Sequence, residues 1–145
     1  MASRTSAGTT IGIAAAPPSY DANAFGGLTY DTIGEVTDGG EFGKAFNLVT
    51  HLPLASRKTV KKKGSFNPGT MNLQLAIDEA DSGQIAANAA LASDNSFSFK
   101  VEDAQTGVIR YFTGVVMSFT TQIGGVDSIL SGAITVEIDD EILVA

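Results

Sequence analysis

From Thr70 to Ile77 apolar side chains recur at every second position: Met71, Leu73, Leu75 and Ile77 share one face, while Thr70, Asn72, Gln74 and Ala76 share the other. A period of two predicts a strand with one buried and one wet face. The same period predicts strands over Ser96–Glu102, with Phe97, Phe99 and Val101 inward, and over Leu130–Ile138, with Ile134, Val136 and Ile138 inward. Val108–Thr121 predicts a long strand apolar on both faces, with Ile109, Tyr111, Val115, Met117 and Phe119 on one side and Phe112 and Val116 on the other. Thr9–Ala15 predicts a first strand that ends before Pro17 and Pro18, and Leu28–Val36 a second, interrupted by Gly34.

Between these lies Arg57–Lys63, which reads as a strand that turns through Asn67-Pro68-Gly69 into Thr70–Ile77, making a long hairpin. Glu41–Ser56 has no sustained period, so an irregular loop is expected there. After Ile77, Asp78 is a plausible helix N-cap, and the Ala-rich run that follows predicts one helix with Ile85, Ala89 and Leu91 or Ala92 as its apolar contacts. Strands joined by short turns, with a single helix, indicate a mainly β fold: a β-sandwich or barrel with one flanking α-helix, a long hairpin and terminal arms. A chain of 145 residues suits one domain, residues 1–145, with a flexible N-terminal segment over about 1–8 and a C-terminal arm over about 139–145.

Charge sharpens the picture. The formal net charge is −7, yet five of the nine basic residues, Arg57, Lys58, Lys61, Lys62 and Lys63, fall within seven positions. After Gly64 only Lys100 and Arg110 oppose the acidic residues. One compact basic strip on an acidic protein is poorly suited to wrapping nucleic acid, where phosphate contacts spread over a face, and it lacks interleaved aromatics for base stacking. A solvated charged face is the plain alternative. Contact with an acidic patch on another copy is the more natural use, and the Asp139, Asp140 and Glu141 run is the expected counterpart. The apolar Ile142–Ala145 end beyond it should either add a strand to the parent sheet or dock on a neighbour.

Chemistry is sparse. Without cysteine there are no disulfides, thiolate nucleophiles or thiolate zinc sites, and His51 is the one histidine. No serine stands in a Gly-x-Ser-x-Gly elbow, and the paired glycines match no phosphate loop. Asp78, Glu79 and Asp81 lack calcium-loop spacing and are explained more simply by helix capping. No catalytic, cofactor or metal site is therefore expected, and no run approaches the ~20 apolar residues that span a bilayer, so neither an enzyme nor a membrane protein is expected.

The ordered pieces Ile33-Gly-Glu-Val36, Val49-Thr-His51, Thr59-Val-Lys-Lys-Lys-Gly64 and Leu73-Gln-Leu75 resemble the major tail tube proteins of long-tailed, siphovirus-like bacteriophages, over about Leu28–Ile138. The resemblance implies a structural virion protein of the tail, assembled in the host cytoplasm, in which six copies close into a ring and rings stack into a hollow tube. Its implied partners are further copies of itself, a tape measure protein in the lumen, and tail tip (distal tail) and terminator proteins, with DNA passing through without specific binding. On this reading Arg57, Lys58, Lys61, Lys62, Lys63, Asp139, Asp140 and Glu141 make inter-subunit contacts, and Asn72 and Gln74 face the lumen. The inner tube of a contractile tail or secretion apparatus, or a β-sandwich binding module, are the alternatives.

Overall fold

The computed structural model describes residues 3 and 5–145. Of the N-terminal segment expected to be flexible, Met1, Ala2 and Arg4 lie outside the described residues. Within the remainder, the Gln105 side-chain amide donates to the carbonyls of Thr5 and Ala7 at 2.9 and 2.8 Å.

The chain forms β1 (Thr9–Ala15), α1 (Ala22–Gly26), β2 (Asp31–Thr32), β3 (Val36–Asp38), β4 (Ala45–His51), β5 (Val60–Asn67), β6 (Thr70–Ala76), α2 (Ser82–Leu91), β7 (Phe97–Asp103), β8 (Ile109–Gln122), β9 (Ser131–Ile138) and β10 (Leu143–Val144). Eight strands make one antiparallel sheet in the order β2-β1-β7-β8-β9-β6-β3, with β10 added alongside β8. The sheet curls because one segment serves both of its ends: Thr32 pairs with Gly12 of β1, and four residues later Val36 pairs with Leu75 of β6. Two bonds tighten this link, from Ile33 N–H to the Ile11 carbonyl at 2.8 Å and from Ala76 N–H to the Glu35 carbonyl at 2.9 Å.

The concave face carries the core. Ile11, Ile13, Met71, Leu73, Leu75, Phe99, Phe112, Val116, Ile134, Val136 and Ile138 are buried together, as alternation required of β6 and β9. Along β8 the expected faces change partway. A bulge between Val116 and Ser118 leaves Met117 58% exposed and turns Phe119 onto the side of Phe112 and Val116, where it packs on the core. Tyr111 instead points to the convex face and stacks on Phe25 of α1, their ring centroids 5.3 Å apart. Phe25 is fully buried, so α1, in a stretch that reads only as turns, closes a small aromatic cluster over that half of the convex face.

Helix α2 covers the concave side. Its cap is Asp81, not Asp78; the Asp81 carboxylate accepts from the N–H groups of Gln84 and Gly34, both at 3.0 Å. This start turns Gly83, Gln84, Ala87 and Ala90 inward, whereas Ile85, expected to be a contact, is 55% exposed. Gly83 is a close-approach residue: a Cβ there would lie 2.2 Å from the Thr32 carbonyl oxygen. Gln84 ties three elements together, donating to the carbonyls of Gly34 and Ala76 at 3.1 and 2.9 Å and accepting from Asp78 N–H at 3.0 Å.

Candidate functional site: a free-standing basic hairpin and a polar sheet face

The hairpin differs from the expected one. Its strands are β4 and β5, paired from Ala45–Asn67 to His51–Val60, so a seven-residue strand occupies the middle of the stretch expected to be an irregular loop. Asn67-Pro68-Gly69 does turn, with the Asn67 side chain accepting from Gly69 N–H at 2.9 Å, but β5 and β6 part there instead of pairing. The reason lies in composition: β6 has a complete apolar row for the core, which β9 and β3 flank, while Lys61-Lys62-Lys63 gives β5 no row to continue it.

The two stalks of the hairpin cross at glycines. Gly69 has φ +112°, and a Cβ on it would meet the Gly43 carbonyl oxygen at 2.6 Å. Just beyond, Phe46 and Phe66 face each other at 5.4 Å, with Lys44 Nζ 4.7 Å from the Phe66 ring and Lys63 Nζ 4.9 Å from the Phe46 ring. Lys44 also pairs with Glu141 at 2.6 Å, fixing the root to the C-terminal segment.

Outside that root the hairpin is bare. Every residue of β4 is exposed, and Leu48, Val49, Leu52 and Leu54 present apolar surface next to the cations. Lys61, Lys62 and Lys63 are exposed on β5, while Arg57 and Lys58 lie in the connection between the strands. Among the described residues, none of these five makes an ion pair with a carboxylate of its own chain. His51 is exposed opposite Val60 at the outer end of the ladder.

The expected acidic counterpart is engaged elsewhere. Asp139 accepts from Thr113 Oγ1 at 2.5 Å and from the Ser96 hydroxyl, Asp140 caps the Glu141 N–H at 2.8 Å, and Glu141 holds Lys44. The apolar end beyond it takes the first of the two expected courses, with Leu143 and Val144 pairing Tyr111 and Arg110 of β8.

Asn72 and Gln74 sit on the open half of the convex face, both exposed. The ladders extend their rows across three strands: Asn72 lies beside Thr135 and then Ser118, and Gln74 beside Ala133 and then Thr120. Thr135 donates to the Asn72 side chain at 3.0 Å. Glu137, held by Thr70 Oγ1 at 2.7 Å, brings a carboxylate to these rows, and Asp38 of β3, paired with Gln74, brings a second. The strip is thus a polar surface of hydroxyls and amides, with carboxylates at its margins and no lysine or arginine on its paired rows. Sequence reading found two of its members and missed Ser118 and Thr120, because the bulge at Met117 sets which side of β8 they take.

No protein-family model and no curated protein matches the sequence, whereas solved structures match the fold. A chain of the anti-feeding prophage baseplate superposes with a TM-score of 0.66 at 9% identity, over 100% of this chain and 97% of that one. A chain of the sheath/tube terminator of an extracellular contractile injection system gives 0.64 at 8% identity, over 100% and 98%. The tail tube of SPP1 gives 0.62 at 10% identity, over 94% of this chain and 75% of that one. The chain has the tail-tube fold, shared with components of contractile injection systems and of the SPP1 tail.

Proposed function

We propose that this protein is a non-enzymatic tail tube subunit, which closes into rings, six copies being the expected number, and stacks into a hollow conduit through which DNA passes into the host. The free-standing β4–β5 hairpin carries the reading. Two strands without a third are marginal in water, and here they expose apolar and cationic side chains together. A neighbouring copy supplies the missing surface. The shared fold with tube components supports the same assignment.

The polar face of β6, β9 and the second half of β8 is the proposed lumen lining. Neutral amides and hydroxyls offer phosphates no cation to bind, and the net charge of −7 repels them. In this scheme a tape measure protein fills the lumen during assembly, with tip and terminator proteins at the two ends, and the tube matures in the host cytoplasm as part of a virion. The inner tube of a contractile apparatus is the second reading, favoured by the likeness to contractile injection system chains.

Negative-stain imaging of the purified protein tests the assignment. Stacked rings or hollow tubes with an open bore are the expected result; a monomer at every concentration would overturn it.

A further inference from the structure

The hairpin and its receiving surface stand at opposite ends of the same two strands. β6 and β9 pair from Thr70–Glu137 at one end to Ala76–Ser131 at the other. The hairpin leaves at the first end, next to the bond from Ile138 N–H to the Gly69 carbonyl at 3.0 Å. The β8–β9 connection, residues 123–130, lies at the second end, where Ile77 N–H donates to the Leu130 carbonyl at 2.9 Å.

That second pole is apolar and acidic. Ile123, Val126 and Ile129 are exposed on the connection, Val126 fully. Beside them a groove of about 260 Å³ runs between α2 and β8, walled by Ile77, Ile85, Phe119 and Leu130 with Asp78 and Glu79 at its rim. Asp127 adds a third carboxylate, and the stretches that build this pole, residues 77–85 and 119–131, contain no lysine or arginine.

We propose that this pole, not the Asp139–Glu141 segment, receives the hairpin of a second copy. Leu52 and Leu54 enter the groove, and the lysines of β5 face Asp78, Glu79 and Asp127. The inference rests on the tube assignment and specifies its axial contact. Opposite charge favours the encounter and apolar side chains on both parts are covered by it. A hairpin-to-hairpin contact would instead oppose two clusters of like charge. Because donor and acceptor lie at opposite ends of one molecule, the contact is heterologous and propagates as an open filament.

The absence of cysteine makes a direct test possible. Leu54→Cys subunits are mixed with mass-tagged Val126→Cys subunits, or with mass-tagged Asp140→Cys subunits, and treated with a short bis-maleimide under assembly conditions. At least tenfold more tagged heterodimer in the Val126→Cys mixture is expected. Tubes that link Leu54→Cys equally well or better to Asp140→Cys overturn the proposed pole while leaving the tube reading intact. Wild-type protein that never assembles overturns both. As a second arm, reversing Asp78, Glu79 and Asp127 to Lys should stop elongation, and reversing Lys61, Lys62 and Lys63 to Glu in the same chain should restore it. Failure of that restoration in a folded double-set variant counts against the contact.

Discussion

Lys44 Nζ lies 2.6 Å from a carboxylate oxygen of Glu141, and the same ammonium stands over the Phe66 ring. One cation therefore joins the root of the hairpin to the segment that leads into β10. Both side chains are partly open to water, so the pair contributes at most about 1 kcal/mol to global stability. Glu141→Gln should leave the unfolding midpoint almost unchanged yet lower the hydrogen-exchange protection of amides in β4 and β5, because only the root loosens. Uniform loss of protection across the sheet would contradict this.

Replacing Lys61, Lys62 and Lys63 by Glu should alter stability by no more than about 1 kcal/mol, since all three are exposed, none makes an ion pair among the described residues, and the Lys63–Phe46 ring contact is the main interaction lost. Assembly should fail. Urea unfolding and electron microscopy of the same preparation separate the two effects.

Gly83→Ala is expected to destabilise the fold by about 1–3 kcal/mol despite the better helix propensity of alanine. The obstructing atoms are the backbone of Thr32 and Ile33, which cannot rotate aside as a side chain would. Gln84→Ala should cost a similar amount, about 1–3 kcal/mol, through the buried polar groups it leaves without a partner. Both values are read from urea midpoints.

Asn72→Lys combined with Gln74→Lys should leave assembly intact, since both positions are exposed and outside the hairpin. Cations placed on the polar strip should slow DNA passage. Normal delivery by particles built from this variant would remove the lumen assignment.

Burial pushes the Tyr30 phenol above its ordinary value, with Tyr111 adding to the shift, and the hydroxyl donates to the Phe25 carbonyl at 3.0 Å. The folded state thus favours the neutral phenol. Its contribution is complete below the unfolded value of about 10 and is lost as pH rises from there toward the folded value. Between pH 9 and 11.5 the wild type should lose more stability than Tyr30→Phe, measured by urea unfolding at each pH.

The strands β6, β7 and β9 are legible in the sequence because each carries its own period-two pattern, and β1 because Pro17 and Pro18 end its strand-favouring run. The hairpin was harder. Strong turn chemistry at Asn67-Pro68-Gly69 marks a real turn, but pairing depends on which strand completes the core, and that is decided by Leu73 and Ile134 meeting across the sheet. A usable local signal existed in Phe46 and Phe66, set almost symmetrically about the 52–59 connection as an antiparallel pair must be. Helix α2 was displaced by three residues since Asp78 and Asp81 are equivalent as caps until Gly34 N–H selects Asp81. At the candidate site, the cationic strip was plain from charge alone, whereas the engagement of Asp139 and Glu141 depends on Thr113, Ser96 and Lys44, all distant in sequence.

The eight-residue stretch from Asp31 to Asp38 serves as the clasp of the curled sheet, with one half on β1 and the other on β6. Neither margin can fray without dragging on the other, nor without disturbing Gln84 and Asp81 beneath the clasp. Heat or urea should therefore melt the body in a single all-or-none step, while the finger can disorder on its own. In the proposed tube, such a division would keep each body rigid around the bore while its reaching limb searches for the copy ahead.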